Sequence, residues 1–224
     1  VVAVTIDASG LTGTGDFELQ GNGGDADVAL LVAGSSVIGS GGADTLALSS
    51  TTGSTYSGGA GNDTFRGSVA DIAATGTLDS SVDGGAGTDV LTLDDGSATL
   101  ADSHFTNISN METLTLAGTG SHSLTTGGSF NSAFSSGVTL TTGTVADDQT
   151  LTIAAGLSNV DMTITITSSV NANDAGENAS ITTGSGSDTV TFNNTANVGS
   201  ASAAANVFSL GAGDDTLTFS YGTL

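Results

Sequence analysis

Apolar and polar residues alternate in many short segments of the chain. In these segments Thr or another polar residue alternates with Val, Leu, Ile or Phe, and one side of each extended segment would be apolar. They lie at residues 44–48, 89–93, 112–116, 149–153, 162–167, 188–192 and 215–219. A period of two with many β-branched residues indicates strands with one buried face and one wet, Thr-bearing face. The pattern therefore predicts a nearly all-β protein.

A glycine-rich turn ending in Asp stands just before several of these strands. Two copies match G-G-x-G-x-D-x-U-x completely, where U is a large apolar residue: "GGAGNDTFR" at residues 58–66 and "GGAGTDVLT" at residues 84–92. Residues 39–47, 183–191 and 210–218 are copies that lack one glycine, and residues 21–29 are a weaker sixth copy with its Asp out of register. Such self-similarity is typical of repeat architectures.

The order of residues in the turn suits a cation. Glycines permit positive φ and close backbone packing, which turns carbonyl oxygens toward a shared point, and the Asp adds formal charge. The apolar residue two places later begins the strand and anchors the turn to the core. One turn supplies too few ligands, but two turns stacked on adjacent coils of a parallel β-solenoid would enclose an ion. Ordinary β-turns without metal are the alternative, since Gly and Asp are common turn residues.

Charge strengthens the metal interpretation. The chain of 224 residues has 23 acidic residues and one basic residue, a formal charge of −22, and 20 of the acids are Asp. Such self-repulsion opposes a compact state unless cations enter the fold. Nucleic acid and membrane insertion are not expected, because the first needs clustered Lys and Arg and the second a long apolar segment. Cys is absent, so disulfides cannot stabilise the fold, although 37% hydrophobic residues suffice for a core.

Neither a signal peptide nor a membrane-spanning segment is evident in the sequence. The chain begins at Val1 rather than at a Met. We therefore expect a piece of a longer protein or a processed form.

The nonapeptides resemble the RTX calcium-binding repeats of secreted bacterial proteins. That resemblance implies a parallel β-roll with Ca²⁺ between coils, and export through a type I system that reads a C-terminal signal. Transferred residue by residue, it implies metal-binding turns whose residues are Gly39, Gly41, Asp44, Gly58, Gly59, Gly61, Asp63, Gly84, Gly85, Gly87, Asp89, Gly184, Gly186, Asp188, Gly211, Gly213 and Asp215.

The chain departs from the family pattern in its spacing. Family repeats commonly run in tandem, whereas here the copies begin at residues 39, 58 and 84 and later at 183 and 210. Each coil would then carry one calcium edge instead of two. The run "LADSHFTNISNMETLTLAG" at residues 100–118 also resembles segments of surface-layer proteins that carry RTX repeats. Spaced motifs on Thr- and Ser-rich solenoids are more typical of surface-layer proteins and adhesins than of toxins or proteases.

Other candidate chemistry is weaker. His104 and His122 are 18 residues apart and would form a metal pair on adjacent coils, but no third ligand has fitting spacing, so exposed side chains are the simpler interpretation. Asp102 beside His104 lacks a nucleophile elbow. The Asp pairs at 94–95 and 147–148 would be further calcium sites or solvated loops. No paired carboxylates suggest a glycosidase or lyase, so we do not expect an enzyme.

The sequence therefore predicts a right-handed parallel β-solenoid or β-roll with calcium-binding Gly-Asp turns. Residues 1–99 would form an RTX-type segment, 100–134 a less regular connecting tract and 135–224 a second segment with two RTX-type turns. The predicted function is that of a secreted, Ca²⁺-dependent structural protein that self-assembles into a cell-surface layer or an extracellular filament, with cell-surface polysaccharide as a further partner. A calcium-folded adhesion or glycan-binding module, and a non-catalytic RTX module of a larger secreted enzyme, are the alternatives.

Overall fold

The computed structural model describes residues 5–7, 18–19, 34–49, 53–72, 80–143, 149–168, 178–194 and 206–221. These residues form a nearly all-parallel β-solenoid, which confirms the predicted all-β solenoid architecture. Every strand pairing among the described residues is parallel, and strands that are neighbours in a sheet belong to successive coils of the chain. The weak sixth motif and the Asp147–Asp148 pair lie outside the described residues.

Three sheets make up the solenoid. Sheet A contains β1 (Thr5–Asp7), β3 (Ser36–Ile38), β5 (Thr55–Ala60), β7 (Ser81–Ala86) and β10 (Ile108–Ser109). Sheet B contains β2 (Glu18–Leu19), β4 (Thr45–Ala47), β6 (Thr64–Gly67), β8 (Val90–Leu93), β11 (Thr113–Leu116), β13 (Val138–Thr142), β15 (Met162–Ser168), β17 (Thr189–Asn194) and β19 (Thr216–Tyr221). Sheet C contains β9 (Thr99–Leu100), β12 (His122–Thr125), β14 (Thr150–Ala154), β16 (Asn178–Thr182) and β18 (Val207–Ser209).

Sheet B runs the length of the solenoid, whereas its partner changes. Each early coil contributes one strand to sheet A and one to sheet B. Each late coil contributes one strand to sheet B and one to sheet C. Sheet B crosses the 100–134 tract without a break, because β11 pairs with β8 on one side and β13 on the other. The tract therefore continues the solenoid and does not separate two stacks.

A column of large apolar side chains fills the centre behind sheet B. Leu46, Phe65, Leu91, Leu114 and Leu140 pair in register along successive strands, and each is fully buried. Burial of one such side chain contributes about 1.5–3 kcal/mol. On the last strand the corresponding Leu217 is 38% exposed.

Three short helical segments lie between the strands of the described residues. Helix α1 spans Val69–Ile72, helix α2 spans Gly128–Ala133 and a 3-10 helix spans Asp102–Phe105. Helix α2 packs against β10 and the 3-10 helix, so it covers the final strand of sheet A. Within the described residues no helix is long and apolar enough to span a membrane.

Three phenylalanines fix helix α2 to the coil beneath. The ring centroids of Phe105 and Phe130 are 5.1 Å apart in an edge-to-face arrangement, and those of Phe130 and Phe134 are 4.8 Å apart. The Asp102 carboxylate accepts hydrogen bonds from the backbone N–H groups of Ser129 and Phe130 at the start of the helix, at 3.2 and 2.9 Å. Asp102 thus caps the start of helix α2.

Candidate functional site

The five glycine-Asp turns lie at one corner of the solenoid, immediately before sheet B. In the first three copies the turn connects a strand of sheet A to sheet B, and in the last two it connects sheet C to sheet B. Strand pairing extends into the two complete copies, where Gly59 pairs with Gly85 and Ala60 with Ala86. The first three motifs therefore lie on successive coils, as do the last two, and coils without the motif separate the two groups.

Glycine is required where the turns stack. Gly59 and Gly61 have φ of +104° and +120°, a region that other residues rarely adopt. A Cβ on Gly59 would overlap the carbonyl oxygen of Ser40, and one on Gly61 would overlap the carbonyl of Gly42. Backbone thus packs directly on the backbone of the preceding coil. Not every motif glycine is restricted in this way, because a Cβ on Gly41 would have open space around it.

The motif carboxylates form a ladder along this corner. The backbone N–H of Asp44 donates to Asp63 Oδ1 at 2.8 Å, and that of Asp63 donates to Asp89 Oδ1 at 2.7 Å. The N–H of Asp89 then donates to Glu112 Oε2 at 2.8 Å. Each carboxylate therefore accepts a hydrogen bond from the backbone of the acidic residue that directly precedes the strand of the previous coil.

A second stretch of the ladder lies in the late coils. The backbone N–H of Met162 donates to Asp188 Oδ1 at 2.9 Å, and that of Asp188 donates to Asp215 Oδ1 at 3.0 Å. Asp161 adds a bond in the opposite sense, because its Oδ1 accepts from the N–H of Ser187 at 2.7 Å. The glycines of these turns are also close-packed, since a Cβ on Gly184, Gly186, Gly211 or Gly213 would overlap a backbone carbonyl of the preceding coil.

The second oxygen of three ladder carboxylates has no hydrogen-bond donor. The Oδ2 atoms of Asp63, Asp89 and Asp188 are buried without a partner in the described part of the chain, and these side chains are at most 1% exposed. An unpaired buried carboxylate oxygen is costly unless a proton or a cation compensates it. This is the clearest chemical feature of the corner.

Backbone carbonyls converge on the same positions. A Cβ placed on Gly58 would overlap Asp63 Oδ2 and would lie 2.5 Å from the carbonyl oxygen of Gly84 on the next coil. A Cβ on Gly84 would lie 2.6 Å from Asp89 Oδ2 and would also overlap the carbonyl oxygen of Asn110. A carboxylate oxygen and a carbonyl oxygen therefore face one small space in both complete motifs.

The degenerate first copy is arranged differently. Ser40 stands where the complete motif has its second glycine, and its hydroxyl lies 3.0 Å from both carboxylate oxygens of Asp44. The backbone N–H of Ser40 also donates to Asp44 Oδ2. The hydroxyl thus supplies a donor to a carboxylate that in the complete copies keeps one oxygen unpartnered.

Burial changes the acidity of the ladder. Desolvation raises the pKa of Asp63 from 3.8 to about 6, with smaller contributions from the neighbouring carboxylates and an opposing one from the Asp44 N–H. The pKa of Asp89 is raised for the same main reason, with Glu112 and Asp83 nearby. Burial therefore favours the protonated form of both carboxylates, and a bound cation would compensate the ionised form in place of the proton.

The donor set fits a hard cation that binds oxygen. Each complete turn offers one carboxylate oxygen and a carbonyl oxygen of the next coil, the types of ligand that Ca²⁺ takes in loose geometry. Among the described residues, no group of three or more acidic, His or Cys side chains surrounds one point. An ion here would thus be held mainly by backbone oxygens and one Asp per turn.

Two acidic residues at this corner were not among the candidates from the sequence. Glu112 occupies the ladder position without a glycine-rich turn, and Asp161 lies one residue before that position, where Met162 stands. The signal for Glu112 was available, since "ETLTL" places an acid directly before a strand as "DVLTL" does. Glu112 was missed because the repeat motif requires glycines before the acidic residue.

Other acidic and histidine candidates have structural roles. His122 is buried, not exposed as expected; its Nδ1 accepts from the N–H of Ala98 at 3.0 Å and its Nε2 lies 3.0 Å from the carbonyl of Gly118. His104 Nδ1 accepts from the N–H of Ala101. Asp94 forms a bidentate ion pair with Arg66, whose Nε and Nη2 donate to the two carboxylate oxygens at 2.7 and 2.9 Å. Asp95 accepts a hydrogen bond from the backbone N–H of Val69.

A shallow polar groove lies apart from the motif turns. Its volume is about 690 Å³, and it runs between helix α2 and the loop before β15. Its lining includes Asn131, Ser132, Asn159 and Asp161. Hydroxyl and amide groups dominate, with no aromatic or basic side chain in the lining.

Fold and corner together define a parallel β-solenoid with a buried carboxylate ladder at its glycine turns. Comparisons with protein-family models, curated proteins and solved structures found no match to the chain. The RTX resemblance and the calcium assignment therefore stay predictions, which rest on the motif residues and on the geometry of this corner.

Proposed function

We propose that the chain is a secreted, Ca²⁺-dependent structural protein that self-assembles into a cell-surface layer or extracellular filament. One observation carries the proposal: Asp63, Asp89 and Asp188 each keep a buried carboxylate oxygen without a donor at a glycine turn. A cation at these turns would neutralise the oxygens and join consecutive coils. The residues that would hold it in the complete copies are Asp63 and Asp89, with carbonyl groups of the stacked turns.

Ca²⁺ suits these turns better than Mg²⁺. The donors are backbone carbonyls and single carboxylates set by stacked turns of irregular spacing, and Ca²⁺ accepts six to eight such oxygens in flexible geometry. Mg²⁺ requires a near-ideal octahedron and gives up its water reluctantly. A selective response to Ca²⁺ is therefore expected.

Ion binding would couple folding to the compartment. A chain with a formal charge of −22 repels itself, and a cation that binds only the folded turns shifts the equilibrium toward the solenoid. Low calcium inside the cell would keep the chain unfolded for export, and higher calcium outside would fold it. Neighbouring acidic surfaces would share further ions, which gives a route from the folded chain to a lattice or filament.

A calcium titration of chelated protein, followed by circular dichroism and light scattering together, tests the proposal. We expect β-structure to appear first and mass to increase afterwards, with much weaker responses to equal Mg²⁺. A chain that is fully folded in chelator and unchanged by Ca²⁺ would refute the calcium role. A calcium-loaded chain that stays monomeric at high concentration in light scattering and electron microscopy would refute assembly while leaving calcium-coupled folding intact.

The polar groove beside helix α2 favours a second candidate, a calcium-folded adhesion or glycan-binding module. Amides and hydroxyls such as those of Asn131 and Asn159 are suitable partners for sugar hydroxyls. Binding of purified cell-surface polysaccharide that is lost in Asn131→Ala would support this candidate. Without saturable binding, the candidate would be withdrawn. A third, a module of a larger secreted enzyme, is tested by the full gene, where a neighbouring catalytic domain is expected.

A further inference from the structure

The outer face of sheet B carries two straight columns of threonine. Five consecutive strands, β11, β13, β15, β17 and β19, each contain a Thr-x-Thr triplet, at residues 113–115, 139–141, 163–165, 189–191 and 216–218. Strand pairing aligns the first Thr of every triplet with the first Thr of the next, and the second with the second. The result is a regular grid of ten Thr side chains.

These side chains face solvent and are not used by the fold. All ten are exposed or half-buried, while the middle residue of each triplet points into the solenoid, as with Leu140 and Ile164, which are fully buried. Within the described residues, none of the ten hydroxyls takes part in a hydrogen bond. The grid therefore presents methyl groups and free hydroxyls to whatever lies outside it.

The grid is rigid and uncharged. Thr is β-branched and stiff at χ1, and the strands that carry it are fixed by parallel pairing on both sides, except at β19. No acid or base lies in the two columns from β11 to β19, although the whole chain has a formal charge of −22. A charged partner would find no complementary group on this face, whereas a neutral lattice of hydrogen-bonding groups would.

The spacing of the grid is close to that of ice. Neighbouring strands are about 4.7–4.9 Å apart, and the two Thr of a triplet are about 6.7 Å apart along the strand. A tetrahedral water lattice with O–H···O distances of about 2.7–2.8 Å repeats at about 4.5 Å between next-nearest oxygens and at about 7.4 Å in a perpendicular direction. The two grids agree to within about a tenth in both directions.

We propose that this Thr face binds ice. Its methyl groups would order the adjoining water, its hydroxyls would hydrogen-bond to that water, and the aligned columns would dock the ordered layer on a crystal surface. The face begins directly beyond the glycine-Asp corner, where Thr189 and Thr216 follow Asp188 and Asp215, but no Thr hydroxyl is among the proposed calcium ligands, so the inference does not rest on the calcium proposal. It requires only the folded solenoid.

The experiment measures ice shaping and the gap between melting and freezing temperatures for folded protein in calcium-containing buffer, with circular dichroism as the check on folding. Thr165→Tyr places a bulky ring at the centre of the grid. Thr55→Tyr is the matched control, because Thr55 is an exposed Thr on β5 of sheet A. We expect faceted crystals and a measurable gap for the unsubstituted chain and the control, and loss of most of the gap for Thr165→Tyr.

Two results would overturn the inference. Folded, unsubstituted protein that neither shapes ice nor partitions into a slowly growing ice front would exclude it, whatever the variants do. Equal loss in Thr165→Tyr and Thr55→Tyr would show that the grid is not the binding face. A third result would reassign the face. If the unsubstituted protein does not bind ice and Thr165→Tyr abolishes self-association measured by light scattering, the face joins copies of this chain and the ice assignment is wrong.

Discussion

Asp63 Oδ1 accepts a hydrogen bond from the backbone N–H of Asp44 at 2.8 Å, while Asp63 Oδ2 is buried without a donor. The same side chain thus stabilises the stacking of two coils and carries an uncompensated charge when it is ionised.

Asp63→Asn tests the charge at nearly constant shape. The amide oxygen can still accept from Asp44, and the new N–H₂ group can donate to the carbonyl of Gly84, which converges on the same position. In chelator we expect the variant to be more stable than the parent by about 1–3 kcal/mol, because a buried unpaired group is removed. In saturating Ca²⁺ the order should reverse. Thermal unfolding in both buffers measures this.

The matched control for that variant is Asp214→Asn. Asp214 lies in the last motif turn but is exposed, so its substitution should change neither the chelator stability nor the calcium response by more than about 0.5 kcal/mol. An unchanged calcium response in Asp63→Asn would remove Asp63 from the proposed ligands.

Stability in chelator should fall as pH rises. The pKa of Asp63 is raised by burial from 3.8 to about 6, so the folded state binds its proton more tightly than the unfolded chain does. Its contribution is complete below the unfolded value and is lost as pH passes through about 6. Asp89 shifts in the same direction. Melting temperatures measured in chelator from about pH 4 to about pH 7 should therefore decrease.

Calcium should reverse the sign of that pH dependence, because the ion binds the ionised carboxylate. In Asp63→Asn the decrease in chelator should be smaller than in the parent, which isolates Asp63 from the other acids that titrate in this range. A parent and variant with identical profiles would contradict the assignment of the raised pKa to a stability effect.

Gly58→Ala tests the close approach at the turn. Its methyl group would overlap Asp63 Oδ2 and the Gly84 carbonyl, so we expect a loss of about 1–3 kcal/mol from overpacking. Gly41→Ala is the control, since its methyl group would meet no atom within 4 Å and Gly41 does not have a positive φ. Urea unfolding in calcium measures both. Equal losses would mean that the turns do not stack as described.

Phe130→Ala tests the cover of sheet A. Phe130 is fully buried between Phe105 and Phe134, and its truncation should cost about 3–5 kcal/mol. Asp102→Ala, which removes the hydrogen bonds at the start of helix α2, should cost only about 0.5–2 kcal/mol. A cost for Phe130→Ala as small as that for Asp102→Ala would show that the helix does not seal the core.

Local pattern was sufficient to predict the strands and the turns. Alternating Thr and Leu or Ile, as in "ETLTL" and "MTITIT", indicated strands that the structure contains as β11 and β15. The stacked glycine turns followed from the motif, because positive φ and close backbone contact are properties of glycine itself. The buried position of His122 did not follow, because nothing adjacent to it in sequence indicates the N–H of Ala98 as its partner.

The sequence by itself determined a parallel β-solenoid with acidic glycine turns, since the strand period and turn chemistry are local properties. Only the tertiary structure decided which carboxylates lack a donor, because Asp44 meets the Ser40 hydroxyl whereas Asp63 and Asp89 meet carbonyl oxygens of the next coil. The tertiary structure also decided the change from sheet A to sheet C, the place of Glu112 in the ladder and the alignment of the Thr triplets. Because the coils differ in length, residues that stack in space are unequally spaced along the chain. Parallel strand pairing brings them into register.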